Sequence, residues 1–257
     1  MSPRSIGIAP IGRRLIGPLA LVLALIAAQP AAGQSLTLDF GDAGGSSTAR
    51  IIQLVALMTV LSLVPSLLIM LTSFTRIVIV LSFLRSALGT QQSPPNVVLI
   101  SLALFLTGFI MTPTLEEAYR DGVAPLIEER ISEAQALERT MRPFHRFMMR
   151  YVRDQDLRLF LDMSKAKPEE VGDQTPLRAL IPAFLISELR RAFEMGFLIY
   201  LPFLIIDMVV ASVLMAMGMM MLPPATISLP FKLIFFVLVD GWYLVAGSLV
   251  QSFGGTG

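Results

Sequence analysis

Ionisable side chains set inside apolar stretches are the residues of this chain that could do chemistry, because burying them is costly unless they pair or line a watery path. In SELRRAFEM, residues 187–195, Glu188 and Arg191 stand three apart and Arg190 and Glu194 four apart, so two opposite-charge pairs are expected on adjacent turns of one helix. Asp207 and Lys232 lie at nearly equal distances from a turn expected near residues 219–222, which brings them level on facing helices. An Asp207–Lys232 ion pair, within one subunit or between neighbours, is the expectation. Asp240, in the middle of FVLVDGWYL, is a further candidate for pairing with another chain. Proton relay is the alternative use of these carboxylates, although each apolar helix offers one Asp and no chain of His.

A second cluster is chemical in a softer sense. In MAMGMMMLPP, residues 215–224, five methionines crowd into seven positions ahead of a double proline. Met is unbranched and polarizable, so Met217, Met219, Met220 and Met221 around Gly218 could form a compliant collar, and a hydrophobic constriction closes a pore by excluding water. The alternative is that they fill gaps in a helix core. Core methionines keep to one helical face, whereas three in succession point around most of a helix.

The whole chain narrows these readings. Its 257 residues are 54% hydrophobic and only 15% charged, with a mean hydropathy of +0.72, which points to a membrane or membrane-assembled protein and away from a soluble enzyme. A net charge of +1 offers no basic field for nucleic acid. Cysteine is absent, which removes disulfides, thiolate metal sites and a Cys nucleophile; no cofactor is implied. The single histidine, His145, is read as a surface residue and confines any His chemistry to one place.

The elements that must position the charges follow from hydropathy, and the fold class is all-α. Residues 1–33 read as a cleaved signal peptide: Arg4, Arg13 and Arg14 precede the apolar run Leu15–Ala28, and small residues follow at Ala31 and Gly33. That run of about 14 residues is short of the roughly 20 needed to span a bilayer, which disfavours the alternative of a first transmembrane helix. Residues 34–50 are a Gly- and Ser-rich linker. Residues 51–112 form a first hydrophobic helical hairpin: an apolar segment 51–71 with a kink at Pro65, a shorter helix over 77–88, and, after Ser93–Asn96 (SPPN), a helix over 97–111. Residues 113–180 carry most of the charge and read as an aqueous helical subdomain. Residues 181–253 form a second hairpin, with 180–221 tilting or breaking at Pro182, Gly196, Pro202 or Gly218, and one long last helix over 225–250. Residues 254–257 are a tail. Arg76 and Arg85, with no acid between them, are placed on the cytoplasmic side, which puts 113–180 in the periplasm and the Met-rich turn towards the inner end of its hairpin.

Three strings carry a family resemblance: residues 65–113 (PSLLIMLTSFTRIVIVLSFLRSALGTQQSPPNVVLISLALFLTGFIMTP), residues 180–224 (LIPAFLISELRRAFEMGFLIYLPFLIIDMVVASVLMAMGMMMLPP) and residues 227–242 (ISLPFKLIFFVLVDGW). They resemble the FliP/SctR family of type III secretion export-gate subunits over roughly residues 50–253. Gly108, where a bulkier residue is expected, is a mild departure. The resemblance implies a homo-oligomer, a pentamer completed by FliQ and FliR into a tapered helical gate in the bacterial inner membrane, within the flagellar basal body. It implies contacts with other export apparatus proteins and passage of unfolded flagellar proteins. It also implies that the Met-rich loop, Met217, Met219, Met220 and Met221, is a gasket around the closed channel, and that apolar helices pack on sister subunits as well as on lipid. A subunit of a virulence injectisome, an ion channel or proton-coupled transporter built on Asp207, Lys232 and Asp240, and a purely structural scaffold are the competing readings.

Overall fold

Apolar residues at 74, 77, 80, 81, 84, 87 and 88 recur at three- and four-residue steps, which gives a helix one continuous apolar stripe. In the computed structural model that helix is α1, Phe74–Leu88, and the whole stripe is buried. The structure describes residues 51–52, 54–56, 58–59, 62, 66, 69–164, 172, 175–219 and 221–254, and the packed unit treated below begins at Leu54. The signal peptide and linker expected over 1–50, the kink expected at Pro65, and Met220 lie outside those residues. The described residues before α1 are helical up to Met70, and a turn at Leu71–Ser73 separates them from it.

Gly89, at φ 75°, ends α1 in a left-handed cap whose N–H donates to Ser86 O. The chain then turns through Thr90–Pro95, and α2 runs over Asn96–Ala118, its first turn preceded by the two prolines that cannot sit in a helix interior. It does not stop near residue 111 as hydropathy suggests. The helix passes through Pro113 and continues by a π-helical turn, Tyr119–Val123, and one α-turn, α3 (Ala124–Ile127), giving 32 residues in all. Gly122 in the π-turn is required by contact: a Cβ there would lie 2.1 Å from Thr140 Oγ1 on α4.

The charged region folds into α4, Glu133–Tyr151, and α5, Asp154–Met163. Ser132 opens α4 with a reciprocal cap, its Oγ accepting from Gln135 N–H while Gln135 Oε1 accepts from Ser132 N–H. The apolar face of α4, with Phe144, Phe147, Met148 and Tyr151, packs with Leu180 and Phe184 of α6 and Phe253 at the chain's end.

Helix α6 covers Leu177–Ala216 without a break, so Pro182, Gly196 and Pro202 do not interrupt it; Gly218, at φ 74°, follows its end. Forty residues make about 60 Å of helix, twice a bilayer's hydrocarbon core. The single helix expected over 225–250 is instead two, α7 (Pro224–Leu238) and α8 (Gly241–Gly254), bent by 63°. Asp240 at φ 50° makes the elbow, and Gly241 permits it, since a Cβ there would meet the Phe236 ring at 2.1 Å. Among the described residues two helices, Asn96–Ile127 and Leu177–Ala216, are long and apolar enough to cross a membrane, and the bent α7–α8 pair would be a third. No strand occurs among the described residues. The apolar α1 is not one of those spans. It packs on α2, α6 and α7 in a second core cluster with Phe203, Phe236 and Leu249, and Gly196 of α6 lies close against its Phe83 ring, where a Cβ would come within 2.6 Å.

Candidate functional site

Each end of α1 carries a buried charge network. At its first turn Arg76, 1% exposed, meets Glu188 of α6, 0% exposed. Arg76 Nε donates to Glu188 Oε2 at 2.9 Å and Nη2 donates to Oε1, a two-pronged fit of guanidinium to carboxylate. Its Nη1 donates to Ser252 O (3.2 Å) and Ser252 Oγ (2.9 Å), and its Cζ lies 3.7 Å from the centroid of the Phe253 ring. Tyr151 OH of α4 donates to Phe253 O. One cation thus ties α1, α6 and the end of α8 together, next to α4.

This corrects one expectation. Glu188 does not pair with Arg191, because a partner reaching in from α1 offers both oxygens a planar fork away from solvent, whereas an i, i+3 neighbour lies along the helix surface. Arg190 and Glu194 do pair, at 2.8 Å, on an exposed face. Arg191 is partly buried and makes no ion pair or hydrogen bond with its side chain among the described residues.

At the other end of α1 the structure brings Asp207 and Lys232 together. Lys232 Nζ, on a residue 4% exposed, donates to Asp207 Oδ2 at 2.6 Å and to Ala87 O, in the last turn of α1, at 3.1 Å. A cation at a helix C-terminus also meets the negative end of the helix dipole. Ser228, one turn before Lys232 on α7, donates to Asp207 Oδ1 at 2.5 Å. Sequence reasoning missed Ser228, although its i, i+4 spacing from Lys232 puts both on the face that meets Asp207. It also missed Ser252, Phe253 and Tyr151, for which no local signal exists. Arg85 donates from Nη1 to Asn96 Oδ1 at 2.5 Å and so braces the corner between α1 and α2.

In the charged region Arg153 donates to both oxygens of Asp156 (2.9 and 3.0 Å), and Ser187 Oγ of α6 lies 2.7 Å from the same carboxylate while accepting from Arg153 N–H. The Arg153 hydrogen bonds hold the Asp156 carboxyl below its usual range, with Ser187 acting in the same direction against the effect of burial. His145 Nε2 contacts Thr175 O at 2.8 Å and is partly buried, so its tie is to the segment before α6.

The methionines stand at the end of the α6–α7 hairpin. Met217 is 64% exposed and Met221 98% exposed, while Met219 is partly buried and its N–H donates to Leu214 O. Since α6 ends at Ala216, Met219 and Met221 are not helical, and the argument from helical faces does not apply to them. Gly218 has nothing within 4 Å of where a Cβ would be. A wholly apolar groove of about 520 Å³, lined by Ile205, Val209, Val213, Ile227 and Phe231 among others, reaches Met217. Around Gly108 on α2 the space is likewise open. Asp240 is exposed at the elbow between α7 and α8, not in the middle of a helix.

Helices this apolar, pinned by buried ion pairs and ending in a bare methionine turn, define an all-helical membrane protein. No group of His, Cys, Asp and Glu suited to a metal occurs among the described residues. The FliP family profile matches residues 57–249, so the chain belongs to the FliP family. It is 57% identical over 234 residues to the flagellar biosynthetic protein FliP of Caulobacter vibrioides, covering 91% of this chain and 88% of that one. It is 51% identical over 237 residues to the Rhizobium meliloti protein of the same name (90% and 97%) and 54% identical over 215 residues to that of Bacillus subtilis (83% and 97%). Membership makes the chain a component of the flagellar export apparatus and not an enzyme.

Proposed function

We propose that the chain is a core subunit of the export gate: copies of it form a ring, a pentamer, that assembles with FliQ and FliR and passes unfolded flagellar proteins outward. The α4–α5 region, residues 113–180, is then periplasmic. The observation that carries the reading, beside family membership, is the exposure of Met217 and Met221 at the tip of an apolar hairpin whose own core does not cover them. Around an axis such turns supply soft apolar side chains from every copy, able to close on water and ions and to yield to any passing sequence. The Asp207–Lys232 pair and its tie to Ala87 O set the hairpin against α1 and so fix where the turn is held.

The test replaces Met217, Met219, Met220 and Met221 together by Ala in cells lacking the native copy, and measures assembly, ion leakage and secretion of flagellar proteins. Assembly with leakage and continued secretion is the expected outcome. A complex that assembles, stays tight and exports normally would make the methionines ordinary packing and overturn the seal.

A further inference from the structure

The exposed face of α4 carries a row of cations. Arg139, Arg142, Arg146 and Arg150 follow one another at steps of three and four residues, which sets them along one side of the helix. Facing them, at the end of α2 and in its π-turn, stand Glu117, Arg120 and Asp121. Two adjoining cavities lie in the cleft between. One, of about 410 Å³, is walled by Arg120, Asp121, Pro125, Arg139, Arg142 and Arg146. The other, of about 270 Å³, shares Arg146, adds Glu117 and Arg150, and meets the apolar side chains of Ile110, Pro113 and Phe147.

The carboxylates within reach do not balance these arginines. Arg120 Nε donates to Asp121 Oδ1 at 2.8 Å, Arg142 Nη2 donates to Glu138 Oε1 at 3.0 Å, and Arg146 pairs with Glu117. Glu116 lines neither cavity. Arg139 and Arg150 make no ion pair or hydrogen bond with their side chains among the described residues, so the cleft keeps two positive charges over. The Asp121 carboxyl is held below its usual range, first by the Arg120 hydrogen bond and then by the charges of Arg120, Arg146 and Arg139, so three arginines already converge on one anion.

Exposed arginines alone need no ligand, because water solvates them. What sets this row apart is where it stands. Helix α2 is apolar enough to cross a membrane, and Phe105 and Phe109, 80% and 68% exposed, stand four apart on a stripe that continues to Pro113 in the wall of the smaller cavity. Tyr119, also exposed, follows where the apolar span gives way to charge, the level at which aromatic side chains gather in membrane proteins. Guanidinium groups at the end of a bare apolar stripe suit a ligand with an anionic head and apolar tails. We propose that the cleft between α2 and α4 binds an anionic phospholipid, its phosphate held by Arg146 and Arg150 and its acyl chains lying along Phe105 and Phe109. Planar guanidinium forks grip phosphate oxygens two at a time. The charges of Arg139 and Arg150, which Glu117, Asp121 and Glu138 leave uncancelled, favour an anionic head over a zwitterionic one.

The full chain, purified in nonionic detergent and stripped of lipid, is titrated with dioleoylphosphatidylglycerol or with dioleoylphosphatidylcholine, and bound lipid is counted by native mass spectrometry. Phosphatidylglycerol should bind about tenfold more tightly or better, and Arg139→Gln with Arg150→Gln should remove that preference. Neither side chain has a partner to lose among the described residues, so this double variant should melt within about 2 °C of the unaltered protein. Arg158→Gln with Arg178→Gln removes two exposed charges that line neither cavity and should leave the preference intact. An equal loss in that control would make the attraction diffuse and overturn the site. Inorganic phosphate in about a hundredfold excess should leave the lipid bound, because it brings no chains to cover Phe105 and Phe109; full displacement would assign the cleft to free phosphate and overturn the lipid. Equal binding of the two lipids would overturn the proposal. So would a preference that survives the loss of Arg139 and Arg150, which would leave the row to an acidic partner protein.

Discussion

Removing the Glu188 carboxylate tests whether a single buried pair governs the packing of α1, α6 and α8. Arg76 and Glu188 are both essentially inaccessible, so Glu188→Ala leaves a guanidinium buried with only Ser252 and the Phe253 ring to compensate it. Breaking a buried pair on one side costs about 3–5 kcal/mol. For a domain of this size each kcal/mol lowers Tm by roughly 2–4 °C, so the expected fall is roughly 6–20 °C. Removing both charges behaves differently. In Arg76→Met with Glu188→Met no charge is stranded, and Ser252 Oγ keeps its 2.7 Å hydrogen bond to Leu249 O. That double variant should melt within about 4 °C of the unaltered protein, since replacing a buried pair by apolar residues is often neutral or stabilising. The assay is thermal unfolding of the detergent-solubilised protein at one fixed scan rate, followed by fluorescence of the single tryptophan, Trp242 in α8. A Glu188→Ala variant that loses less than about 3 °C, or a double variant as unstable as the single one, would refute the reasoning.

The exposed counterpart behaves oppositely: Arg190→Ala breaks the solvated pair with Glu194 and should shift Tm by less than about 2 °C in the same assay. Gly196→Ala would place a methyl 2.6 Å from the Phe83 ring and should destabilise by about 1–3 kcal/mol, an effect that Phe83→Leu should partly relieve. For Asp156 the folded carboxyl titrates below its unfolded value, so its contribution is present above about pH 4 and is lost as pH falls through the depressed folded value. Arg153→Ala should therefore lower stability near neutral pH, and its difference from the unaltered protein should hold down to about pH 4 and shrink as the pH falls further; a difference that stays constant below about pH 4 would contradict this.

How far each feature could be read in advance depends on how local its cause is. The end of α1 and the start of α2 follow from Gly89 and the Ser93–Asn96 prolines, which act on their own backbone. The facing of Asp207 and Lys232 follows from counting outward from a turn, since two helices joined by a short connection must lie alongside each other. The Arg190–Glu194 pair follows from helix pitch alone. By contrast, hydropathy runs unchanged through the break at Asp240 and suggests continuous helix; the elbow lies in the positive φ of Asp240 and is permitted by Gly241, whose missing Cβ leaves room for the Phe236 ring. The run through Pro182 and Pro202 was read as breakable because local rules penalise proline, but neighbours that hold both halves in line can outweigh that penalty.

The sequence by itself determined the helical, membrane class of the protein and its family, because composition, periodicity and long motifs are properties of neighbouring residues. Only the tertiary structure decided which apolar helices lie inside the subunit and which remain bare. Hydropathy reports a side chain's aversion to water and is silent on what replaces the water, so α1, buried among its neighbours, and α2, uncovered along much of its length, read alike. The pairing of Arg76 with Glu188, 112 residues away, was likewise decided by the fold, since the choice between that partner and Arg191 turns on which carboxylate and cation are shut away from water together.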